Sequence, residues 1–167
     1  MKSAFAGKGG KMIEIGVPGF GELKLNHLVM DYNGTMACDG KLLEGVPELV
    51  RILAGNLSVH VITADTFGIA AKELEGLSVK LHILGVHHQD LAKEKYVEAL
   101  GAASVVSIGN GRNDGPMLKS SRLGIVLVQE EGTSAETLMA ADIVCKDIKH
   151  ALELLLKPQR LIATLRT

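Results

Sequence analysis

Two cysteines in a chain of 167 residues cannot form the framework of a disulfide-stapled fold. Cys38 and Cys145 also lack the spacing of a zinc site, so both are expected as free thiols in a reducing, cytoplasmic setting. Apolar runs are short. None approaches the roughly 18 residues a membrane-spanning helix needs, and the lysine- and glycine-containing start, Met1 to Lys11, has no apolar stretch of signal-peptide length. A surplus of one charge sign is missing too: 18 Lys and Arg stand against 19 Asp and Glu. Without a basic run there is no electrostatic footprint for nucleic acid or an anionic membrane. Small or locally charged partners remain.

What the chain does have is enough apolar matter, 47% of residues, to bury one core without staples. Met1 to Lys11 reads as a disordered extension, because its Gly-Lys-Gly-Gly-Lys run is small and polar. That run is no phosphate loop, since no Ser or Thr follows a Gly-Lys. From Met12 to the end, residues 12–167, one domain is expected. Ile13 to Leu25 alternates about a Gly- and Pro-containing centre and predicts a hairpin. His27-Leu28-Val29-Met30 predicts a buried strand ending at Asp31. Helical spacing over Glu44 to Leu57 follows, with Pro47 early. Strands at Val59–Thr63, Val79–Leu84, Ser104–Ile108 and Gly124–Val128 then alternate with helices around Phe67–Leu74, Ala92–Leu100 and Asn113–Ser120. Thr133–Ala140 and Asp147–Leu156 read as closing helices around a short strand at Ile143-Val144. Such alternation predicts an α/β fold, a parallel sheet flanked by helices, with ligands at the carboxyl ends of the strands. Asp31, Thr63 and Asn110 fall there.

Asp31-Tyr32-Asn33-Gly34-Thr35 resembles the first signature of the haloacid dehalogenase (HAD) superfamily, and three more follow in order. Val61-Ile62-Thr63 resembles the second, Lys93 the third and Gly109-Asn110-Gly111-Arg112-Asn113-Asp114 the fourth. The nearest likeness is to the phosphorylation domain of P-type ATPases, whose patterns run D-K-T-G-T, T-G-D and G-D-G-x-N-D. The match covers Leu28 to Val144 and points to soluble relatives of those pumps, with a Rossmann-like HAD fold.

The resemblance implies Mg²⁺-dependent phosphoryl transfer through an aspartyl-phosphate on Asp31, with a small phosphorylated molecule as substrate. Each motif has a physical reason. Nucleophilic catalysis splits one hard displacement into two easier ones. Two anions must meet, so a divalent cation held by Asp31, the Asn33 carbonyl, Asn110 and Asp114 would offset their repulsion. Thr63 and Lys93 would serve the transferring oxygens, where charge spreads. Asn33, Gly34 and Thr35 form the substrate-facing turn, and Asp65 corresponds to a position used near phosphate in the pumps. Lys93 is preferred to Lys95 from its spacing to Tyr96 and Leu100. His87-His88 with Asp90 reads as a surface loop rather than a metal site.

Two positions depart from the pattern. Most phosphatases of the superfamily carry a second aspartate two residues after the nucleophile, as an acid for the leaving oxygen. Asn33 cannot donate and recover that proton, so slow turnover and a preference for activated phosphates are expected. Asn110 stands where the pumps have a metal-binding aspartate, which predicts weaker Mg²⁺ binding, restored by Asn110→Asp. Both changes also fit a catalytically degenerate scaffold or regulator. A receiver-like phospho-accepting switch fits the Asn33-Gly34-Thr35 turn and the late Gly109 to Asp114 motif poorly. The intervals between Asp31, Thr63 and Lys93 are consumed by strand-helix units and leave no room for a cap. The open site that results gives the Ile13–Leu25 hairpin two expected uses, packing on its own domain or contact in a homo-oligomer.

Overall fold

The computed structural model describes residues 11–65 and 67–167. The expected disordered extension lies outside the described residues except for Lys11, whose carbonyl accepts a hydrogen bond from Asn26 Nδ2 (3.0 Å). An antiparallel hairpin opens the fold, with β1 (Ile13–Val17) paired to β2 (Gly21–Leu25) in the register Ile13 to Leu25. Its apolar residues alternate inward, as a half-buried ribbon requires: Ile13, Ile15, Val17, Leu23 and Leu25 are buried in the main core. The hairpin therefore packs on its own domain.

Next come β3 (His27–Asp31), a small antiparallel pair β4 (Ala37–Cys38) and β5 (Lys41–Leu42), then α1 (Val46–Leu53) and β6 (Ser58–Thr63). The chain continues through α2 (Ile69–Glu73), β7 (Val79–Ile83), α3 (Gln89–Leu100), β8 (Val105–Gly109) and α4 (Gly115–Ser120). It finishes with β9 (Leu123–Leu127), α5 (Ala135–Ala140), β10 (Ile143–Cys145), α6 (Ile148–Leu156) and α7 (Pro158–Leu165). Six parallel strands form the central sheet in the order β10-β9-β8-β3-β6-β7.

Position in that sheet explains the apolar run of β3. A central parallel strand is covered on both faces, so consecutive residues must be apolar. Leu28 and Met30 enter the core that includes α1, α6 and the hairpin, whereas Val29 enters a second cluster with Val97 of α3 and Met117 and Leu118 of α4. All three strand residues are fully buried, each contributing on the order of 1.5–3 kcal/mol of apolar transfer. Strand β3 is thereby fixed on both faces, and with it the position of Asp31. The chain runs from β3 outward through β6 and β7, then returns to the other side of β3 to build β8, β9 and β10. Such a reversal opens a crevice beyond the carboxyl end of β3, where doubly wound sheets bind ligands.

Two elements lie beyond the sequence expectation. The β4–β5 pair has two residues in each strand, too few to show a period. Helix α7 begins at Pro158, which is tolerated at a first helical position. Helix α1 is shorter than expected, because Gly45 adopts a left-handed conformation just before it and the chain turns after Leu53. Among the described residues, no helix is long and apolar enough to cross a membrane.

Candidate active site

Asp31 closes β3 with 13% of its side chain exposed. The chain then turns back tightly: the amides of Thr35, Met36 and Ala37 all converge on the Tyr32 carbonyl (3.2, 2.9 and 3.0 Å), and Gly34 N–H donates to Ala37 O (2.8 Å). Gly34 sits at φ +75°, and a Cβ there would collide with the Asn110 amide, so only glycine fits. Asn33 is exposed, while Thr35 is fully buried and donates from Oγ1 to Asn110 Oδ1 (3.3 Å). Tyr32 Oη donates to Gly40 O (3.1 Å), tying the β4–β5 turn to the end of β3.

Lys93 reaches this turn from α3. Its ammonium lies 2.6 Å from Asp31 Oδ1 and 2.6 Å from Asp114 Oδ1, with Asn113 Oδ1 at 3.4 Å. Only 2% of the Lys93 side chain and none of Asp114 is exposed, so these charges meet at low effective dielectric. Lys95 points away and is exposed. Asp114 is held from its other oxygen, Oδ2, which accepts from the backbone N–H of Asn110 and of Gly111 (2.9 Å each). Asn113 in turn donates to Gln89 Oε1 on α3 (3.0 Å).

Electrostatics follow from this crowding. Burial pushes the Asp31 carboxyl up to about 7, the Asp114 charge adds to the rise, and Lys93 opposes it. For Lys93 burial disfavours the charge, but Asp31 and Asp114 outweigh it and the pKa rises. Lys93 is therefore a fixed cation between two carboxylates.

The remaining expected residues are placed as follows. Thr63 ends β6 and is buried, one residue beyond Ile62, the neighbour of Asp31 in the sheet register. Its Oγ1 accepts from Asp65 N–H (3.4 Å). Asp65, at φ +24°, directs its carboxylate to the first amides of α2, Ala70 N (3.0 Å) and Ala71 N (3.2 Å). Asn110 uses both ends of its amide within the protein, accepting from Thr35 and donating from Nδ2 to Gly132 O (2.9 Å). Beside the site, Asp90, Arg112, Asn113, Pro116 and Glu136 line an open cleft of about 370 Å³. Gln89 and Gln129 were absent from the sequence expectation. Gln89 carries no signal beyond its place at the start of α3, and Gln129 none beyond following a strand end.

No protein-family model matches the chain. Among solved structures, one described as a HAD superfamily (subfamily III A) hydrolase from Legionella pneumophila superposes with a TM-score of 0.67 at 17% identity, covering 84% of this chain and 87% of that one. The chain has the haloacid dehalogenase fold. Another HAD-fold match is 3-deoxy-D-manno-octulosonate 8-phosphate phosphatase from Moraxella catarrhalis, solved with magnesium, phosphate and KDO (TM-score 0.64, 16% identity, 85% of this chain and 94% of that one). A zinc-transporting PIB-type ATPase in its E2.Pi state matches at TM-score 0.56 and 26% identity over 74% of this chain, which is 20% of the pump. Phosphatases and a pump thus share this fold, and the likeness does not single out the pump branch. In sequence, the HAD-fold chain is 43% identical over 82 residues to the uncharacterized protein MJ0073 of Methanocaldococcus jannaschii, 47% of this chain and 88% of that one, and belongs to one family with it.

Proposed function

We propose that this HAD-fold chain is a Mg²⁺-dependent phosphohydrolase that works through an aspartyl-phosphate on Asp31. The observation that carries this reading is the Lys93 ammonium held at 2.6 Å from both Asp31 and Asp114, at the crevice where the sheet reverses. A cation fixed there meets the transferring phosphoryl oxygens without reorganising.

The donor set suits Mg²⁺. It consists of hard oxygens, Asp31 and the Asn33 carbonyl, with surplus negative charge because two carboxylates face one ammonium. Mg²⁺ is commonly bound by one or two carboxylates while keeping several waters, which agrees with Asp114 and Asn110 being occupied by protein hydrogen bonds. When bound, the ion neutralises charge between Asp31 and the incoming phosphate.

In the first step an Asp31 oxygen attacks phosphorus, the bond to the leaving oxygen breaks, and phospho-Asp31 forms. Thr63 and Lys93 donate to the phosphoryl oxygens. The leaving oxygen departs with its electron pair and takes a proton from solvent, because Asn33 has none to give. In the second step water attacks phosphorus, releasing inorganic phosphate and restoring the carboxylate. Without a carboxyl acid both steps are slow, and acyl or aryl phosphates, whose leaving groups are weak bases, are favoured over alkyl phosphates. The phosphatase fold neighbours support this class of chemistry; action on a small phosphorylated molecule in the cytoplasm is part of the proposal.

A second reading, a degenerate HAD-fold scaffold, is favoured by the Asn110 side chain serving as a tie between loops. Hydrolysis of acetyl phosphate and p-nitrophenyl phosphate, with and without Mg²⁺, separates the two. The phosphohydrolase reading expects Mg²⁺-dependent turnover that Asp31→Asn abolishes. No turnover on either donor favours the scaffold, whereas turnover surviving the substitution assigns the activity to a contaminant or another site and overturns the Asp31 reading.

A further inference from the structure

Strand β9 is followed by a polar loop, Val128 to Ser134, that no motif covers. Its first polar residue, Gln129, has its amide engaged at both ends. Nε2 donates to Gly34 O and Thr35 O, each at 2.8 Å, and Oε1 accepts from Ile148 N–H at the start of α6 (3.1 Å).

We propose that Gln129 is a positioning residue that fixes the turn following Asp31. The inference rests on the phosphohydrolase reading for its catalytic consequence, and on geometry for the clamp itself. The need for a clamp arises from Gly34. Space beside the Asn110 amide excludes any side chain at position 34, and φ +75° favours glycine as well. Glycine, however, leaves the flanking peptides free over a wide conformational range. One of those peptides carries the Asn33 carbonyl, a proposed cation ligand, and the turn begins directly at the nucleophile.

The bonds within the turn restrain its amides: Gly34 N–H is held by Ala37 O and Thr35 N–H by Tyr32 O. Its outward carbonyls, of Gly34 and Thr35, are held by Gln129. The clamp is anchored in turn to a helix that packs into the main core through Ile148, Ala151, Leu152 and Leu155. The same loop grips the neighbourhood twice more, through Glu131 Oε1, which accepts from Asp39 N–H (2.9 Å), and Gly132 O, which accepts from Asn110 Nδ2 (2.9 Å). A soft turn made necessary by close packing is thus referenced to a rigid element, and a shift of about 1 Å in such a turn can cost up to about 10²-fold in rate.

Two substitutions test the clamp. Gln129→Met keeps the length and removes every hydrogen bond; Gln129→Glu keeps an acceptor for Ile148 but sets a carboxylate against two carbonyls. Expected for both are a fall in kcat on acetyl phosphate of about tenfold or more with KM within about twofold. Calorimetric titration of the Met variant, which adds no charge, should show weaker Mg²⁺ binding. Amide hydrogen exchange should accelerate across Gly34 to Ala37, while the exchange of the core strands stays at the wild-type rate. Folded variants with wild-type kcat, Mg²⁺ affinity and exchange at Gly34 to Ala37 overturn the proposal. If the Met variant does not fold, the Glu variant decides. Should the wild type lack Asp31-dependent turnover, the phosphohydrolase reading fails separately, and exchange at the turn still judges the clamp.

Discussion

Lys93 and Asp31 are joined at 2.6 Å although 62 residues separate them in sequence. The pair is not isolated, because Asp114 receives the same ammonium, and the asymmetry of buried charge makes the cation the critical member. Replacing all three groups by apolar ones could be nearly neutral for stability, whereas removing Lys93 alone leaves two buried carboxylates facing each other. Lys93→Met should lower unfolding free energy by about 3–5 kcal/mol in urea titrations near neutral pH. The deficit should shrink as pH falls, because protonating one carboxylate removes the unpaired repulsion. Turnover should drop by about 10²–10³-fold, the scale for losing one preorganised charge-stabilising donor.

Asn33→Asp supplies the missing carboxyl acid at an exposed position that carries little packing load. Activity on alkyl phosphomonoesters should rise by up to about 10²-fold, the lower end of general acid-base assistance. Acetyl phosphate, whose leaving group needs little protonation, should gain far less. Steady-state kinetics on both substrates checks the difference.

Asn110→Asp adds a negative charge beside the proposed cation site and removes the donor to Gly132 O. Tighter Mg²⁺ binding is expected by calorimetry, together with a metal-free protein less stable by about 1–3 kcal/mol, the usual cost of a buried acceptor left unpaired. Mg²⁺ affinity that does not change would count against the proposed placement of the ion.

Two residues along β6 from Ile62, the register neighbour of Asp31, His60 bridges His27 Nδ1 (3.1 Å) and Tyr96 Oη (2.8 Å). Burial, followed by the charges of His27 and Lys80, lowers its pKa to about 4 from an ordinary 6.5. Its folded-state pKa lies below the unfolded one, so between these values the unfolded chain binds the extra proton. Stability is therefore complete above pH 6.5 and declines as pH falls through this window toward 4. Urea midpoints should drop between pH 7 and 5.5 in the wild type and change less in His60→Gln.

Much of this arrangement was legible in the sequence for one reason: buried parallel strands must be apolar on both faces. His27 to Met30 shows it as a short run followed by Asp31, Val59 to Thr63 as one that itself ends in a polar residue, and Ser104 to Ile108 as one that leads through Gly109 to Asn110. Lys93 could be chosen over Lys95 because helical spacing puts it with Tyr96 and Leu100, on the side of α3 that packs into the second core cluster. Helix α7 was hidden because Pro158 reads as a stop after α6 and only in three dimensions as the first residue of a new helix. Gln129 was hidden for a different reason. Its partners are backbone carbonyls at Gly34 and Thr35, and a bond to backbone leaves no mark on the residue types at its other end. Asp65 was singled out for a place near phosphate, but the bonds of its carboxylate to the first amides of α2 were hidden in the same way.

Acid quenching of the protein during turnover of acetyl phosphate with Mg²⁺, followed by peptide mass spectrometry, tests the central claim most directly. The account predicts a phosphoryl group on the peptide carrying Asp31, removed by hydroxylamine and absent in Asp31→Asn. Steady hydrolysis with no adduct at Asp31, or an adduct on another residue, would contradict it.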